Sequence, residues 1–313
     1  MMQTAVLIPC HNEEATVGRV VRNFRDALPQ AAIYVYDNNS TDRTRQAASE
    51  AGATVRSEAR QGKGHVVCRM FADVDADAYV LVDGDDTYDA ASAARMIEHL
   101  HSEQLDMVTA VRVPTTQEAY RPGHQFGNRA LTGLVASLFE NRFRDILSGY
   151  RVFSRRFVKS FPALVSGFEI ETAFTVHALE LRMPVAEMET PYRDRPKGSA
   201  SKLRTYRDGF RILWTILRLL LEVRPLHLLG SLALLAAVAS LAVGYPVVLT
   251  YWETGLVPRL PSAVLAATLM VLAFLCLASG MILEMVTLAR RETKRLRYLA
   301  LPAPGTAGGI CSP

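Results

Sequence analysis

The sequence predicts an α/β domain with a mostly parallel, doubly wound sheet, followed by a pair of apolar helices. Three observations carry this. Short apolar runs alternate with segments of helical spacing over the first 111 residues. Three of those runs end in loops rich in acids and amides. Two long stretches near the C-terminus lack acidic, Lys and Arg residues. Strands alternating with helices at this rhythm imply βαβ units.

Thr4 to Ile8 is a continuous apolar run, as expected of a strand covered on both faces. It ends at Pro9-Cys-His-Asn-Glu13. Val17, Val20, Val21, Phe24 and Leu28 then fall on one face of a helix. Ile33 to Tyr36 is a second strand, closed by Asp37-Asn-Asn-Ser40, and Ser40 or Thr41 can cap the next helix. Thr54 to Arg56 is a short third strand, and Gln61-Gly-Lys-Gly64 a loop before another helix. Tyr79 to Val82 runs into Asp83-Gly-Asp85-Asp86. A helix from about Ala90 to His101 and a strand from Met107 to Val111 follow.

The 313 residues carry a net charge of +4, and the basic excess gathers after residue 193. Cys10, Cys68, Cys276 and Cys311 show no paired spacing, so a disulfide framework or zinc site is not expected and a reducing compartment is. No basic-then-apolar leader precedes the first strand, so no cleaved signal peptide is expected. No G-x-G-x-x-G follows the first strand and no G-x-x-x-x-G-K-[ST] occurs, which weakens dinucleotide and P-loop readings. No nucleic-acid partner is expected.

The acids at the end of the Tyr79–Val82 run are the chemical centre. Ligands of open α/β sheets sit just beyond the carboxyl ends of strands. Asp83 and Asp85 flank Gly84, and a turn can aim both carboxylates at one point. Converging acids repel unless a cation neutralises them, and hard oxygen donors with open positions suit Mg²⁺ or Mn²⁺ holding a phosphorylated substrate. The alternative is a solvated acidic turn. Lys63, between Gly62 and Gly64, can bring a cation and free amides to a phosphate, or be an ordinary loop lysine.

Pro9-Cys-His-Asn-Glu13, Asp37-Asn-Asn-Ser-Thr-Asp42 and Asp83-Gly-Asp85 resemble the three signatures of family 2 glycosyltransferases with the GT-A fold. Asp145-Ile-Leu-Ser-Gly149-Tyr-Arg151, Gly167-Phe-Glu169-Ile-Glu171 and Arg193 through Gly198-Ser-Ala-Ser-Lys202 resemble the polyprenyl-phosphate branch, which includes dolichol-phosphate mannosyltransferase. The resemblance implies a GT-A catalytic domain over 1–202 and a nucleotide diphosphate-sugar donor. Pro9, Asn12, Glu13, Asp37, Asn38, Lys63, Asp83 and Gly84 would bind that donor. Asp83 and Asp85 would hold the metal, and Asp145 and Arg151 would serve catalysis. Arg151, Arg193, Lys197, Ser199, Ser201 and Lys202 would grip the phosphate of an undecaprenyl or dolichyl phosphate. One departure is Thr87, where dolichol-type enzymes often carry a Gln metal ligand; His11 replaces a common aromatic.

Residues 203–224 carry an apolar stripe interrupted by Arg204, Arg207, Arg211 and Arg218, the pattern of an interfacial helix. Residues 225–289 hold two expected transmembrane helices, about 226–251 and 261–284, each of the roughly 20 residues or more that a bilayer requires. Arg224 precedes them and Arg290, Arg291, Lys294, Arg295 and Arg297 follow, so the positive-inside rule places both termini and the catalytic domain in the cytoplasm. Residues 290–313 read as a basic tail, disordered from Pro302 on. The expected activity is inverting transfer of one sugar for a cell-envelope glycan, with a homo-oligomer left open. A processive polysaccharide synthase is the rival, weakened by the lack of a Q-x-x-R-W motif and of further spans; a non-catalytic membrane scaffold and a transferase acting on soluble protein are others.

Overall fold

The computed structural model describes residues 3–114, 143–162, 170–193, 221 and 223–304. The chain divides into two compact units. One takes the residues up to Gly209 together with Lys294–Pro313; the other is Phe210–Thr293.

The first unit is built on a seven-stranded sheet of order β3-β2-β1-β4-β6-β5-β7. Its strands are β1 (Thr4–Cys10), β2 (Ala32–Asp37), β3 (Thr54–Ser57), β4 (Ala78–Leu81), β5 (Met107–Pro114), β6 (Arg151–Ser154) and β7 (Val185–Tyr192). Its helices are α1 (Val17–Ala27), α2 (Thr44–Glu50), α3 (Lys63–Asp73), α4 (Ser92–Ser102), α5 (Arg155–Ser160) and α6 (Ile170–Glu180). β1 pairs in parallel with β2 and β4, and β2 with β3. β6 runs antiparallel between β4 and β5, while β5 and β7 are parallel. This is the expected mostly parallel sheet. The chain winds outward from β1 to β3 and then returns through α3 to β4 on β1's other side. That reversal between β1 and β4 is the point at which open α/β sheets leave a crevice for ligands.

Alternation along the strands sends side chains to two cores. Val6, Ile8, Val80 and Val152 pack with Val17, Val20, Val21 and Phe24 of α1 and with Met96 and Leu100 of α4. The four α1 positions are those that helical spacing selected. The other face is aromatic: Tyr79 of β4 lies opposite Phe153 of β6, and both rings pack on Phe71 of α3. Phe157, Phe161 and Phe174 extend that cluster. Pro9 costs β1 no ladder bond. Leu7 O accepts from Val82 N, so Pro9 faces the same side, past the last β1–β4 pair at Leu7↔Leu81.

The second unit holds α7 (Pro225–Thr254) and most of α8 (Leu260–Leu299), both long and apolar enough to cross a membrane. Small residues mediate their packing. Ser240 Oγ donates to Ala266 O at 2.7 Å, and a Cβ at Gly280 would lie 3.2 Å from Leu229 Cβ. Gly255, at φ 67°, ends α7 in the left-handed conformation. α8 runs past the expected end near 284 to Leu299, because Arg290–Arg297 is a run of good helix formers with no breaker before Pro302. Its last residues belong to the first unit: Lys294 Nζ pairs with Glu180 at 2.6 Å, and Tyr298 OH donates to Asp106 at 2.9 Å. The expected interfacial helix at 203–224 lies almost wholly outside the described residues, as do residues 305–313 of the tail.

Candidate active site at the switch point

Three loops leave the carboxyl ends of β1, β2 and β4, and each contains one non-glycine residue at positive φ: Asn12 (55°), Asn39 (59°) and Asp86 (60°). Asn and Asp tolerate this region best, and such backbone clusters where the fold over-determines it. Side chains lock the loops to one another. Asn12 N donates to Ser40 Oγ (2.9 Å) and Asn12 Oδ1 accepts from Thr41 N (2.8 Å). Glu13 N donates to Thr44 Oγ1 (2.8 Å), and the buried Thr16 hydroxyl donates to Gly84 O (2.7 Å). Asn12 thus serves as a clamp between the first two loops.

Asp37 ends β2 and is buried. One carboxylate oxygen accepts weakly from Ser40 N (3.4 Å); Oδ1 has no hydrogen-bond partner among the described residues. A buried acceptor without a donor is costly unless a ligand completes it. Asn38 is used differently from a ligand contact. Its amide donates to Glu58 O (2.9 Å) and Arg60 O (2.8 Å) and accepts from Gly62 N (2.7 Å), so it pins the loop that delivers Lys63.

Lys63 opens α3 and reaches two carboxylates, Asp83 Oδ1 at 2.5 Å and Glu171 Oε1 at 2.6 Å. Burial works against its charge, but those two neighbours hold its ammonium well above the ordinary lysine range. Glu171 comes from α6, 108 residues away in sequence.

Gly84 separates the two aspartates because nothing larger fits. A Cβ there would fall 2.2 Å from Glu13 Oε2 and 2.6 Å from Cys10 Sγ. Glu13 Oε2 is a second buried oxygen with no hydrogen-bond partner among the described residues. Burial, then Asp85, then Asp83 push the Glu13 carboxyl up to about 8, against the pull of Cys10 and Lys63. Asp85 is buried, and its Oδ1 accepts from Thr87 Oγ1 (2.6 Å). Thr87 therefore orients Asp85. Asp86 turns out to Arg19 (2.8 Å), and Asp89 accepts from Ser92 N (3.1 Å) at the start of α4.

A second wall comes from residues 145–151. A Cβ at Gly149 would lie 2.4 Å from Asp83 Oδ2, so this turn presses on the carboxylate; Gly149 N donates to Tyr88 OH at 3.0 Å. Asp145 is held by Arg112 through two bonds, Nε–Oδ2 at 2.7 Å and Nη2–Oδ1 at 2.9 Å. The expectation that Arg151 grips an acceptor phosphate is corrected. It is the largest of the completely buried side chains, and its guanidinium donates to Ile146 O (2.7 Å), Ser148 O (3.0 Å) and Thr175 Oγ1 (3.0 Å). Arg193 keeps an exposed side chain, and its N–H donates to Thr87 O at 2.9 Å. Arg193 itself therefore lies beside the acidic loop. Lys197, Ser199, Ser201 and Lys202 lie outside the described residues, as does Glu169.

With this arrangement in hand, the comparisons with known proteins are decisive. The description "Glycosyl transferase family 2" matches residues 5–161. The chain belongs to glycosyl transferase family 2. Glycosyltransferase AglJ of Haloferax volcanii is 31% identical to it over 302 residues, spanning 94% of this chain and 97% of the relative. The same organism's dolichyl-phosphate hexose transferase is 26% identical over 220 residues, 70% of this chain and 95% of the relative. Among solved structures, Mycobacterium tuberculosis glucosyl-3-phosphoglycerate synthase, crystallised with Mn²⁺, uridine-diphosphate-glucose and phosphoglyceric acid, superposes with a TM-score of 0.58 at 22% identity. It covers 70% of this chain and 79% of that one. The GT-A-like fold of this family 2 glycosyltransferase is thereby shown.

The donors of this glycosyltransferase fit a shared rather than a closed metal site. Among the described residues no group of three His, Cys, Asp or Glu gathers around one point. Asp83 and Glu171 share the one ammonium of Lys63, and Asp85 lies two residues from Asp83, leaving negative charge in excess. Magnesium-like ions are commonly held by one or two carboxylates, with substrate phosphates and waters completing the shell. Glu171, Arg112, Thr16 and Gly149 were not assigned to the site from sequence. Glu171 and Gly149 lay in singled-out motifs, but the pairing of Glu171 with Lys63 and the approach of Gly149 to Asp83 exist only in three dimensions.

Proposed function

We propose that the chain transfers a single sugar from a nucleotide diphosphate-sugar to a polyprenyl (undecaprenyl or dolichyl) phosphate, with inversion, at the cytoplasmic face of a membrane. One observation carries the reading. Asp37, with its orphaned oxygen, ends β2, the Asp83–Gly84–Asp85 turn follows β4 two strands along the sheet, and the Lys63 ammonium is held on Asp83. A nucleotide diphosphate-sugar needs an acceptor for its base, positive charge for its diphosphate and a metal-holding acid pair.

In this reading Asp37 accepts from a base N–H, and Pro9, Asn12 and Glu13 shape the base and ribose pocket. Asp83 and Asp85 would hold Mg²⁺ or Mn²⁺, which supplies Lewis-acid stabilisation of the departing diphosphate. Lys63 exchanges part of its contact with Asp83 for a phosphate oxygen. The acceptor oxygen attacks the anomeric carbon; the new carbon–oxygen bond forms as the bond to the nucleoside diphosphate breaks, inverting the centre. A phosphate acceptor is already anionic, so positioning outweighs deprotonation. Arg193 begins the segment that would meet it, with Lys197, Ser199, Ser201 and Lys202 following. Asp145, tied to Arg112, positions the sugar side. Residues 1–202 form the catalytic domain, 203–224 the interfacial helix and 225–289 the anchor in this proposal. The two apolar helices, and the likeness to a dolichyl-phosphate hexose transferase, support a lipid acceptor.

Membranes containing the chain, incubated with a panel of radiolabelled nucleotide-sugars and polyprenyl phosphate, test the reading. The expected product is one sugar on lipid, lost on chelation of divalent ions. A polymer, or label transferred only to protein, overturns it.

A further inference from the structure

A buried arginine with no carboxylate to pair with is unusual, and Arg151 is one. Its side chain is 0% exposed, yet no Asp or Glu among the described residues lies within ion-pair distance. Its three oxygen partners are the carbonyls of Ile146 and Ser148 and the hydroxyl of Thr175; Met107 Sδ lies 3.4 Å from Nη1, and the Phe174 ring 5.6 Å from the guanidinium carbon. Burial lowers its pKa to about 10, outweighing the opposing pull of the more distant Glu171 and Asp145. Desolvating a guanidinium for neutral acceptors is costly. A lysine could offer three donors but not the planar fork that reaches two carbonyls of one turn at once.

Each partner leads to Asp83. The carbonyls of Ile146 and Ser148 belong to the turn that ends in Gly149, whose α-carbon faces Asp83 Oδ2 so closely that an added Cβ would sit 2.4 Å away. Thr175 lies one turn along α6 from Glu171, and its hydroxyl also donates to Glu171 O at 3.3 Å. Glu171 holds Lys63, which holds Asp83 Oδ1. The two oxygens of one carboxylate are thus fixed from two directions, and the routes meet at one guanidinium.

We infer that Arg151 is a positioning residue for the donor side of the reaction: through the Ile146–Gly149 turn and through α6 it sets the Asp83 carboxylate that receives the divalent cation. It does not meet the acceptor. The inference rests on the proposed donor site and deepens it.

The test uses the full chain in detergent, with Mn²⁺ alone as the probe and free Mn²⁺ followed by electron paramagnetic resonance. Arg151→Lys keeps the charge and loses the fork. It is expected to retain a cooperative unfolding transition, to lower Mn²⁺ affinity by on the order of 10- to 100-fold, the usual cost of losing a residue that orients a metal ligand, and to leave the Michaelis constant for polyprenyl phosphate unchanged. Unchanged Mn²⁺ affinity, or a raised Michaelis constant for the lipid with normal Mn²⁺ binding, overturns the inference. Where Arg151→Lys fails to fold, Gly149→Ala decides. It touches the same carboxylate oxygen without removing the arginine, so its Mn²⁺ affinity must fall, and retention of wild-type affinity overturns the proposal. Wild-type chain that binds Mn²⁺ but forms no sugar-lipid sinks the proposed acceptor instead, leaving this inference standing on the binding data.

Discussion

At Gly84 the sequence and the site meet in a single missing carbon. The two flanking aspartates are legible in the sequence, but the reason for glycine between them is not. The space its Cβ would need is filled by Glu13 and Cys10 from the loop after β1. Gly84→Ala is therefore expected to displace Asp83 and Asp85 together. Transfer should fall on the order of 100-fold, the effect of a roughly 1 Å misplacement, and a thermal unfolding scan beside the transfer assay separates this from collapse of the fold. Asp85→Asn tests the chemistry alone. Its neighbour Thr87 still has an oxygen to donate to, so the loop is kept, and the expected outcome is loss of transfer with unchanged membrane insertion. Full activity in saturating Mg²⁺ or Mn²⁺ would remove Asp85 from the metal role. Arg151 shows the opposite failure of sequence reading. A motif located it correctly in the chain, but only packing reveals that its head points into protein rather than toward a ligand.

At the scale of elements, α6 does the most joining and was the least legible. Its spacing gives little amphipathic signal because it is buried nearly all round, from Ile170 and Glu171 through Phe174 to Ala178. Its first turn carries Glu171 to Lys63; its last carries Glu180 to Lys294. Between them His177 packs edge-on against Phe157 and Phe161, with Nε2 3.1 Å from Ser160 Oγ. Burial, then the nearby Lys294, depresses its pKa from 6.5 to about 3. The sign follows: between those values the unfolded chain binds a proton that the native state refuses, so stability is complete above about 6.5 and is lost as pH falls toward 3. His177→Leu is expected to flatten the dependence of the unfolding midpoint on pH in that window, read by scanning fluorimetry. An unchanged slope would assign acid sensitivity elsewhere. Ahead of β5, buried Asp106 accepts from Ser154 Oγ (2.6 Å), Arg156 Nε (2.5 Å) and Tyr298 OH (2.9 Å). Arg156→Met leaves that carboxylate without its cation and is expected to cost about 3–5 kcal/mol, measured as a lowered denaturation midpoint. Tyr298 reaches Asp106 only because α8 stays helical past its apolar part, a continuation that the charge of Arg290–Arg297 disguised as a tail.

For the molecule as a whole, periodicity exposed the half of the sheet in which each strand is followed by its helix, β1 to β4, and with it the switch point. The half containing β6 and β7 was hidden. β6 is a four-residue strand turned antiparallel between β4 and β5, and nothing in Arg151–Ser154 announces direction. The anchor is the reverse case, plain in sequence and needing little tertiary detail. α8 has 40 residues, about 60 Å of helix at 1.5 Å per residue, against a hydrocarbon core of about 30 Å. Its charged end is therefore too long to be lipid-embedded, and Arg290, Arg291, Lys294, Arg295 and Arg297 occupy that end, against Arg259 and Glu253 around the connection to α7. In the proposed topology the positive-inside rule keeps that charged end on the cytoplasmic side. A single cysteine placed at Leu256, in a chain whose native cysteines are replaced by serine, is expected to react with a membrane-impermeant maleimide in intact cells. One placed at Ala303 is expected to react only after permeabilisation. The reverse pattern would put the sheet edge holding Asp83 and Asp85 on the outer side, away from a cytoplasmic pool of nucleotide-sugars, and would overturn the proposed donor and the proposed face together.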